Sequence, residues 1–343
     1  MMHAILLSEF GGPEVLRTAT VETPSFRADQ MLVRVAACGV CGHDILNRAG
    51  HFPGTRLPAI IGHEIAGMVE QVGSLIRGFG PGDRVALLQR QSCGRCRSCR
   101  EGHENLCRNG DGFYGEGIVG GYGEWVVASD RNAVRLPEEI SFEVGAMLGC
   151  AIGTGFHALL RANVGPGDCV VITGASGGVG IHTVQTARMM GLNTIAIASS
   201  DAKLAALRAA GADEVIIAPD HRFHEQVREA SGGEGAAAVV EITGTLTFDS
   251  SIRCLRPGGR IVLVGNVVPG SVAINPAVSI LKEIEVIGSA HAVLGDLTQV
   301  IDLVRRKRLS PIVARTLAWT EAAAAHRMVE SRSTIGRVVL THG

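Results

Sequence analysis

The seven residues GASGGVG at 174–180 constrain the fold most, because of what flanks them. An apolar, β-branched stretch at 169–173 precedes them, and a helical pattern at 178–190 follows, with apolar Ile181, Val184, Ala187 and Met190 on one face. A strand that turns through glycines into a helix opens a βαβ unit, and the free N–H groups at such a helix start suit phosphate. Gly177 and Gly180 let the backbone approach a pyrophosphate and let helix and strand pack closely. Downstream the pattern alternates, with strands at 194–198, Glu214–Ile217, 238–242, 260–264 and Glu285–Gly288, and helices at 201–210 and near 247–255. Runs of Val and Ile without polar alternation imply a parallel sheet covered on both faces. Six strands with intervening helices predict a doubly wound dinucleotide-binding domain.

The rest of the chain has a different texture. Short strands at 31–37, 65–72 and 84–88 are separated by breakers such as Gly11-Gly12-Pro13 and Gly80-Pro81-Gly82-Asp83, an irregular, mostly β pattern. The tail carries one helix, 294–306, an alanine run at 322–325 that reads as helix, and a last strand at 337–340. A length of 343 residues also argues for two domains. The expected division puts residues 1–151 and 291–343 in one domain and 152–290 in the other. A formal charge of −1 and a pI near 6.9 leave no electrostatic footprint for nucleic acid or an anionic membrane as partner. No run is read as reaching the roughly 18 apolar residues of a membrane span, and residues 1–10 look like a strand rather than an export signal. The expectation is a cytoplasmic protein.

In that setting nine cysteines point to metal rather than to disulfides. Cys93, Cys96, Cys99 and Cys107 offer four thiolates in one short loop. Four sulfurs close a tetrahedral zinc completely, which suits structure and leaves no room for substrate. Arg90, Arg95, Arg97 and Arg100 flank them and can offset the negative charge of such a centre. A second set is scattered: Cys41, the pair His63-Glu64, and Cys150. Spacing alone leaves this set open. A histidine beside a glutamate is more often a surface or core pair, and Cys150 is equally a buried small residue.

Taken in order, Gly39-Val-Cys41-x-x-Asp44, Gly62-His63-Glu64, the four-cysteine loop, Gly120-Gly121-Tyr-Gly-Glu124, Gly149-Cys150, the glycine loop and Gly336-Arg337-Val-Val-Leu340 resemble the zinc-containing medium-chain dehydrogenase/reductase (alcohol dehydrogenase) superfamily. The resemblance covers essentially the whole chain. It implies an α/β protein: a mostly β, irregular, GroES-like catalytic domain plus a six-stranded, doubly wound Rossmann domain. It also implies two zinc ions per chain, one catalytic and one structural, and a nicotinamide cofactor. Cys41, His63 and Cys150 match the catalytic ligands, Glu64 a residue able to swing toward the metal, and Asp44 the carboxylate that orients the ligand histidine. Cys38, Cys169 and Cys254 are left as buried small residues. Thr154, Gly174, Ser176, Gly177, Gly178, Val179, Gly180, Gly265 and Arg337 fall to the cofactor. A zinc with three protein ligands keeps one position open, where an alcohol is acidified or a carbonyl polarised while hydride passes to or from nicotinamide.

Two positions depart from the family's pattern. His43 stands where Ser or Thr commonly relays the substrate proton, and Leu46 where an outer relay histidine often follows. An imidazole changes charge near neutrality, so His43 is expected to serve as relay alone; the competing reading is a residue that only shapes the pocket. His51, Phe52 and Tyr114 are placed in the pocket by analogy. The glycine loop is closer to zinc-free quinone and enoyl reductases, so NADPH-dependent reduction of an activated C=C bond is the alternative activity. A third reading, a non-catalytic, crystallin-like binding protein, is opposed by the intact Cys41, His63 and Cys150 set. The second strand of the dinucleotide domain lacks a terminal carboxylate for the ribose hydroxyls: Ala198 leads to Ser199 and Ser200, with Lys203 beyond and Asp201 suited to a helix N-cap. That favours NADP(H) over NAD(H), with NAD(H) bound without the acid as the competing reading. The resemblance, and the apolar strand Glu285–Gly288 expected at a sheet edge, imply a homodimer or homotetramer acting on a small alcohol or carbonyl substrate.

Overall fold

A computed structural model describes residues 1–342 and divides them into two units. Unit one comprises Met1–Gly153, His291–Lys307 and the chain from Pro311 onward; unit two comprises Thr154–Ala290 and Arg308–Ser310. The return of 308–310 to unit two has a local cause. The Gln185 amide pairs both ways with the Ser310 backbone, at 2.9 and 3.1 Å.

Unit two is built on a six-stranded sheet in which every pair is parallel. The order is Glu214–Ile217, Asn193–Ala198, Cys169–Ile172, Ala236–Glu241, Leu255–Leu263, Glu285–Gly288. Cys169–Ile172 lies at the centre, and the order reverses between it and Ala236–Glu241, the place where such sheets open a crevice for a ligand. The region expected as one helix at 201–210 is a 3₁₀ turn, Asp201–Lys203, followed by the helix Leu204–Ala210. The helix Pro276–Lys282 is not among the helices expected from the sequence; none of its residues is buried, and its apolar Ile280 and Leu281 are exposed.

Unit one centres on a seven-stranded sheet. Its main path runs Ala133–Arg135, Arg84–Leu87, Glu64–Val72, Met31–Val40, Arg337–Thr341, Val313–Ala318, with Trp125–Ala128 also paired to Met31–Val40. The N-terminal segment forms the expected strand, Met2–Leu7, against Leu16–Val21. The helical run Phe142–Ala162 corrects the expectation that nothing reaches membrane-span length: 21 residues are long and apolar enough. Burial of 78% of its apolar window inside the protein marks a core helix instead.

A buried polar network fixes the short helix Gly42–Arg48, which carries two site residues. Arg48 Nη1 donates to His326 Nδ1 at 3.1 Å, its Nη2 pairs with Glu330, and its Nε donates to the Gly11 carbonyl at 3.0 Å. An arginine only donates, so the His326 proton sits on Nε2 and is given to the Tyr122 hydroxyl at 2.9 Å. Burial pushes His326 down to about 3, so it stays neutral in the folded protein. An unfolded histidine protonates near pH 6.5. This group therefore costs nothing above that pH and erodes stability as pH falls toward its folded value. Denaturant melts should show the stability gap between pH 7.5 and pH 5 shrinking by about 2 kcal/mol in His326→Gln. An unchanged gap would refute the buried, neutral assignment.

Candidate metal centre and cofactor loop

Strand register assembles the first cluster. Met31–Val40 and Glu64–Val72 pair antiparallel with Gly39 opposite Glu64, so Cys41, just past one strand, meets His63, just before the other. Arg337–Thr341 flanks the first strand with Val338 opposite Val40, which brings Arg337 alongside. Cys150 arrives from a π-helical turn, Leu148–Ile152. Such turns re-aim side chains and recur at functional sites. Glycine at 39 leaves room for the Glu64 carboxylate: a Cβ there would lie 2.1 Å from Glu64 Oε2 and displace it. The ligand atoms of Cys41, His63, Glu64 and Cys150 all lie within 4.8 Å of one another. Tetrahedral zinc bonds set ligand atoms roughly 3.5–4 Å apart. Cys150 Sγ lies 3.5 Å from His63 Nε2, so the donor set fits that metal in chemistry and spacing.

Asp44 ties two of these ligands together. One carboxylate oxygen accepts from the Cys41 backbone N–H at 2.9 Å, the other from His63 Nδ1 at 3.0 Å. The proton is thereby placed on Nδ1, and Nε2 turns its lone pair to the metal position. Burial alone would lower the His63 pKa, but the charge and hydrogen bond of Asp44 outweigh it and hold it well above the usual value. The imidazole is a more basic ligand as a result. A hydrogen bond from Cys150, then Arg337 and His63, holds the Cys41 thiol well below its usual value, which favours the thiolate a metal needs.

Glu64 is 1% exposed, and burial pushes it up to about 7 against the opposing charge of Arg337. Arg337 Nη2 sits 3.0 Å from Glu64 Oε1, and Nη1 donates to the Val40 carbonyl at 3.2 Å. The guanidinium expected among the cofactor contacts thus stands buried at the metal centre, paired with a carboxylate.

The second cluster is local. Cys96 caps the one-turn helix Arg97–Arg100 that contains Cys99, and Cys107 follows the turn Glu104–Leu106. Sulfur separations run from 3.5 Å (Cys96 to Cys99) to 3.9 Å (Cys93 to Cys99, Cys96 to Cys107), the spacing of a closed zinc tetrahedron. Backbone N–H groups of Arg95 and Cys96 lower Cys93 to about 6. Of the flanking arginines, Arg90 reaches the Cys107 carbonyl, while Arg97 pairs with Glu101 and Arg100 with the Arg95 carbonyl. Cys38 and Cys254 are buried and belong to neither ligand set, and Cys169 is half-buried.

Around the first cluster stands an aromatic wall. His43 stacks on Phe52 with ring centroids 4.2 Å apart, meets the edge of His63 at 4.9 Å, and lies 5.0 Å from Phe113. Phe113 in turn touches His291 at 4.9 Å. Burial pushes His291 down to about 3, so it is neutral. His43 Nε2 is paired with Glu116 Oε1. Sequence reading found neither Glu116, Phe113 nor His291. It placed Tyr114 in the pocket by analogy, but Tyr114 is 1% exposed and its hydroxyl donates to the Val127 carbonyl at 2.8 Å. That makes it a core residue. His51 is exposed and is not one of the clustered ligands.

In unit two the glycine loop has the expected form. Gly177 caps the helix Gly178–Met189, Ser176 is buried beside it, and Gly174 has φ +56°. Gly180 is held to glycine by crowding: a Cβ would lie 2.3 Å from the Gly174 carbonyl oxygen. The Val179 carbonyl accepts from the Thr183 hydroxyl. Gly265 is equally tight, its Cβ position 2.2 Å from the Ile242 carbonyl. Thr154 Oγ1 is buried without a hydrogen-bond partner among the described residues, as expected of a group that serves a ligand. Ser199 and Ser200 are exposed at the end of Asn193–Ala198, whereas Lys203 is 9% exposed and already engaged within the protein.

Residues 27–138 match the family described as alcohol dehydrogenase GroES-like domain, and residues 178–306 the family described as zinc-binding dehydrogenase. An acryloyl-coenzyme A reductase of Metallosphaera sedula is 34% identical over 94% of this chain and 95% of its own. An alcohol dehydrogenase of Geobacillus stearothermophilus is 34% identical over 99% of each chain. A solved structure of a protein called AibC superposes with a TM-score of 0.93 at 42% identity, covering 99% of this chain and 95% of that one.

If Asp44 holds the first cluster together, Asp44→Asn should release one zinc per chain to a chelator at about 10- to 100-fold lower chelator strength, the other staying bound. Chelator titration with a colorimetric zinc indicator checks this. Release of both ions together, or of neither, would contradict the assignment.

Proposed function

The chain belongs to the zinc-containing medium-chain dehydrogenase/reductase family, and on that premise we propose that it moves hydride between an alcohol or carbonyl compound and a nicotinamide dinucleotide. The observation that carries this reading is the convergence of Cys41, His63 and Cys150 on one point, with Glu64 within the same 4.8 Å and also paired with Arg337. Three ligands held this way suit a metal with one free position. Zinc bound there supplies a Lewis acid that stabilises negative charge on a substrate oxygen.

The remaining chemistry belongs to the chain. Phe52, Phe113 and neutral His291 give the site an apolar wall that excludes water from the reacting carbon. His43 is the nearest proton carrier. With Nε2 committed to Glu116, its Nδ1 is the nitrogen left to take or give the substrate proton. Glu116 thus replaces the outer relay member that Leu46 does not supply. A second reading, reduction of an activated C=C bond such as an enoyl thioester, is favoured by the same imidazole, able to protonate carbon, and by the likeness to the acryloyl-coenzyme A reductase. A cofactor-monitored screen of alcohols, aldehydes, enones and enoyl thioesters separates the two. Turnover of alcohols and aldehydes supports the first reading; turnover confined to conjugated C=C substrates overturns it in favour of the second.

For the dinucleotide we propose NADP(H) over NAD(H). Its support is the missing carboxylate after Ala198 together with the exposed hydroxyls of Ser199 and Ser200; the buried Lys203 adds little. A carboxylate there would repel a 2′-phosphate by about 1–4 kcal/mol at contact. Ala198→Asp should therefore shift the ratio of kcat/KM values toward NAD(H) by about tenfold or more. A parental preference for NAD(H), or no shift, would show that this strand end does not set the choice.

We further propose a dimer through unit two. Glu285–Gly288 is the last strand of its sheet and pairs on one side only, and nearby Ile280 and Leu281 are 73% and 83% exposed. An open apolar edge of this kind pairs readily with a second copy. Sedimentation should give a multiple of 35.9 kDa, reduced to that mass by Leu281→Asp. A parent that sediments at 35.9 kDa contradicts the proposal.

A further inference from the structure

Glu241 ends the strand Ala236–Glu241 and is 0% exposed. Its carboxylate has no cationic partner among the described residues; donors surround it instead. Oε1 accepts from the Thr173 hydroxyl at 2.7 Å, the Thr247 hydroxyl at 2.7 Å, and the backbone N–H groups of Thr243 and Gly244 at 2.9 and 2.8 Å. Oε2 accepts from the Ser251 hydroxyl. A buried carboxylate is costly unless such donors satisfy it, so a chain that keeps one gains something specific from its geometry.

What it gains is visible in where the donors lie. Thr173 immediately precedes Gly174, the first residue of the glycine loop, and its hydroxyl also accepts from the Ile242 N–H at 2.9 Å. Thr243 and Gly244 form the turn after the neighbouring strand, and Gly244 has φ +87°. The two loops leave adjacent central strands at the point where the sheet order reverses. They touch closely: a Cβ on Gly174 would lie 3.1 Å from Thr243 Oγ1. We infer that Glu241 is the positioning residue of the dinucleotide site, clamping the glycine loop to the Thr243–Gly244 turn so that both present one rigid surface to the cofactor. This rests on the glycine loop holding a nicotinamide dinucleotide.

A core carboxylate that merely stabilised the sheet would lower the melting temperature without changing how the folded protein binds cofactor. The clamp predicts more. In zinc-replete full-length protein, titration of the reduced cofactor followed by its own fluorescence should show Glu241→Ala weakening binding by about tenfold or more. Amide exchange should quicken at both 173–180 and 242–247, with both zinc ions retained. Glu241→Gln, whose amide keeps an oxygen for the four donors and gives Ser251 a donor to accept from, should recover binding to within about threefold. Should Glu241→Ala fail to fold, Thr173→Val removes the same link at one hydroxyl and should show the same weakening in smaller measure. Parental affinity and exchange in a folded Glu241→Ala or Thr173→Val overturns the clamp alone. A parent that binds neither NADPH nor NADH overturns the cofactor reading and the clamp with it.

Discussion

The Asp44 carboxylate is the interaction on which the metal centre depends. It bonds at once to the backbone of one ligand, Cys41, and to the ring of another, His63. Neither bond is exchangeable with water, since Asp44 is 1% exposed. The short helix that carries Asp44 is pinned in turn by Arg48 to His326 and Tyr122. A chain of buried polar contacts thus runs from the C-terminal helix to the ligand set, and its cost in desolvation is offset by fixing geometry.

Local features were legible in the sequence, and assembled ones were not. The four-cysteine centre is read directly because Cys93 to Cys107 lie in one loop, where spacing is itself geometry. The glycine loop is legible for a similar reason, as its strand and helix are sequence neighbours. Cys41, His63 and Cys150 are brought together by strand register and a π turn, which no spacing rule encodes. They were assigned only through family resemblance. Glu116 reaches His43 from a turn 73 residues away and left no signal at all.

The misplacement of Tyr114 shows how small such errors can be. It shares the strand Gly112–Tyr114 with Phe113, and successive side chains on a strand point to opposite faces. Phe113 meets the imidazoles of the site while Tyr114 enters the core, so an analogy off by one residue chose the wrong face. Arg337 is a different case: its motif marks it as a cofactor contact, and the structure adds a partner that no motif encodes, the buried Glu64 carboxylate 3.0 Å away.

The account's central claim is that one chain builds two different zinc centres, one closed by four sulfurs and one left open by two sulfurs and an imidazole. Anomalous diffraction recorded on either side of the zinc absorption edge tests it most directly. The account predicts two peaks per chain: one amid Cys93, Cys96, Cys99 and Cys107, the other among Cys41, His63 and Cys150 with His63 bound through Nε2. A single peak in the four-cysteine loop, from protein purified with zinc present, would contradict it.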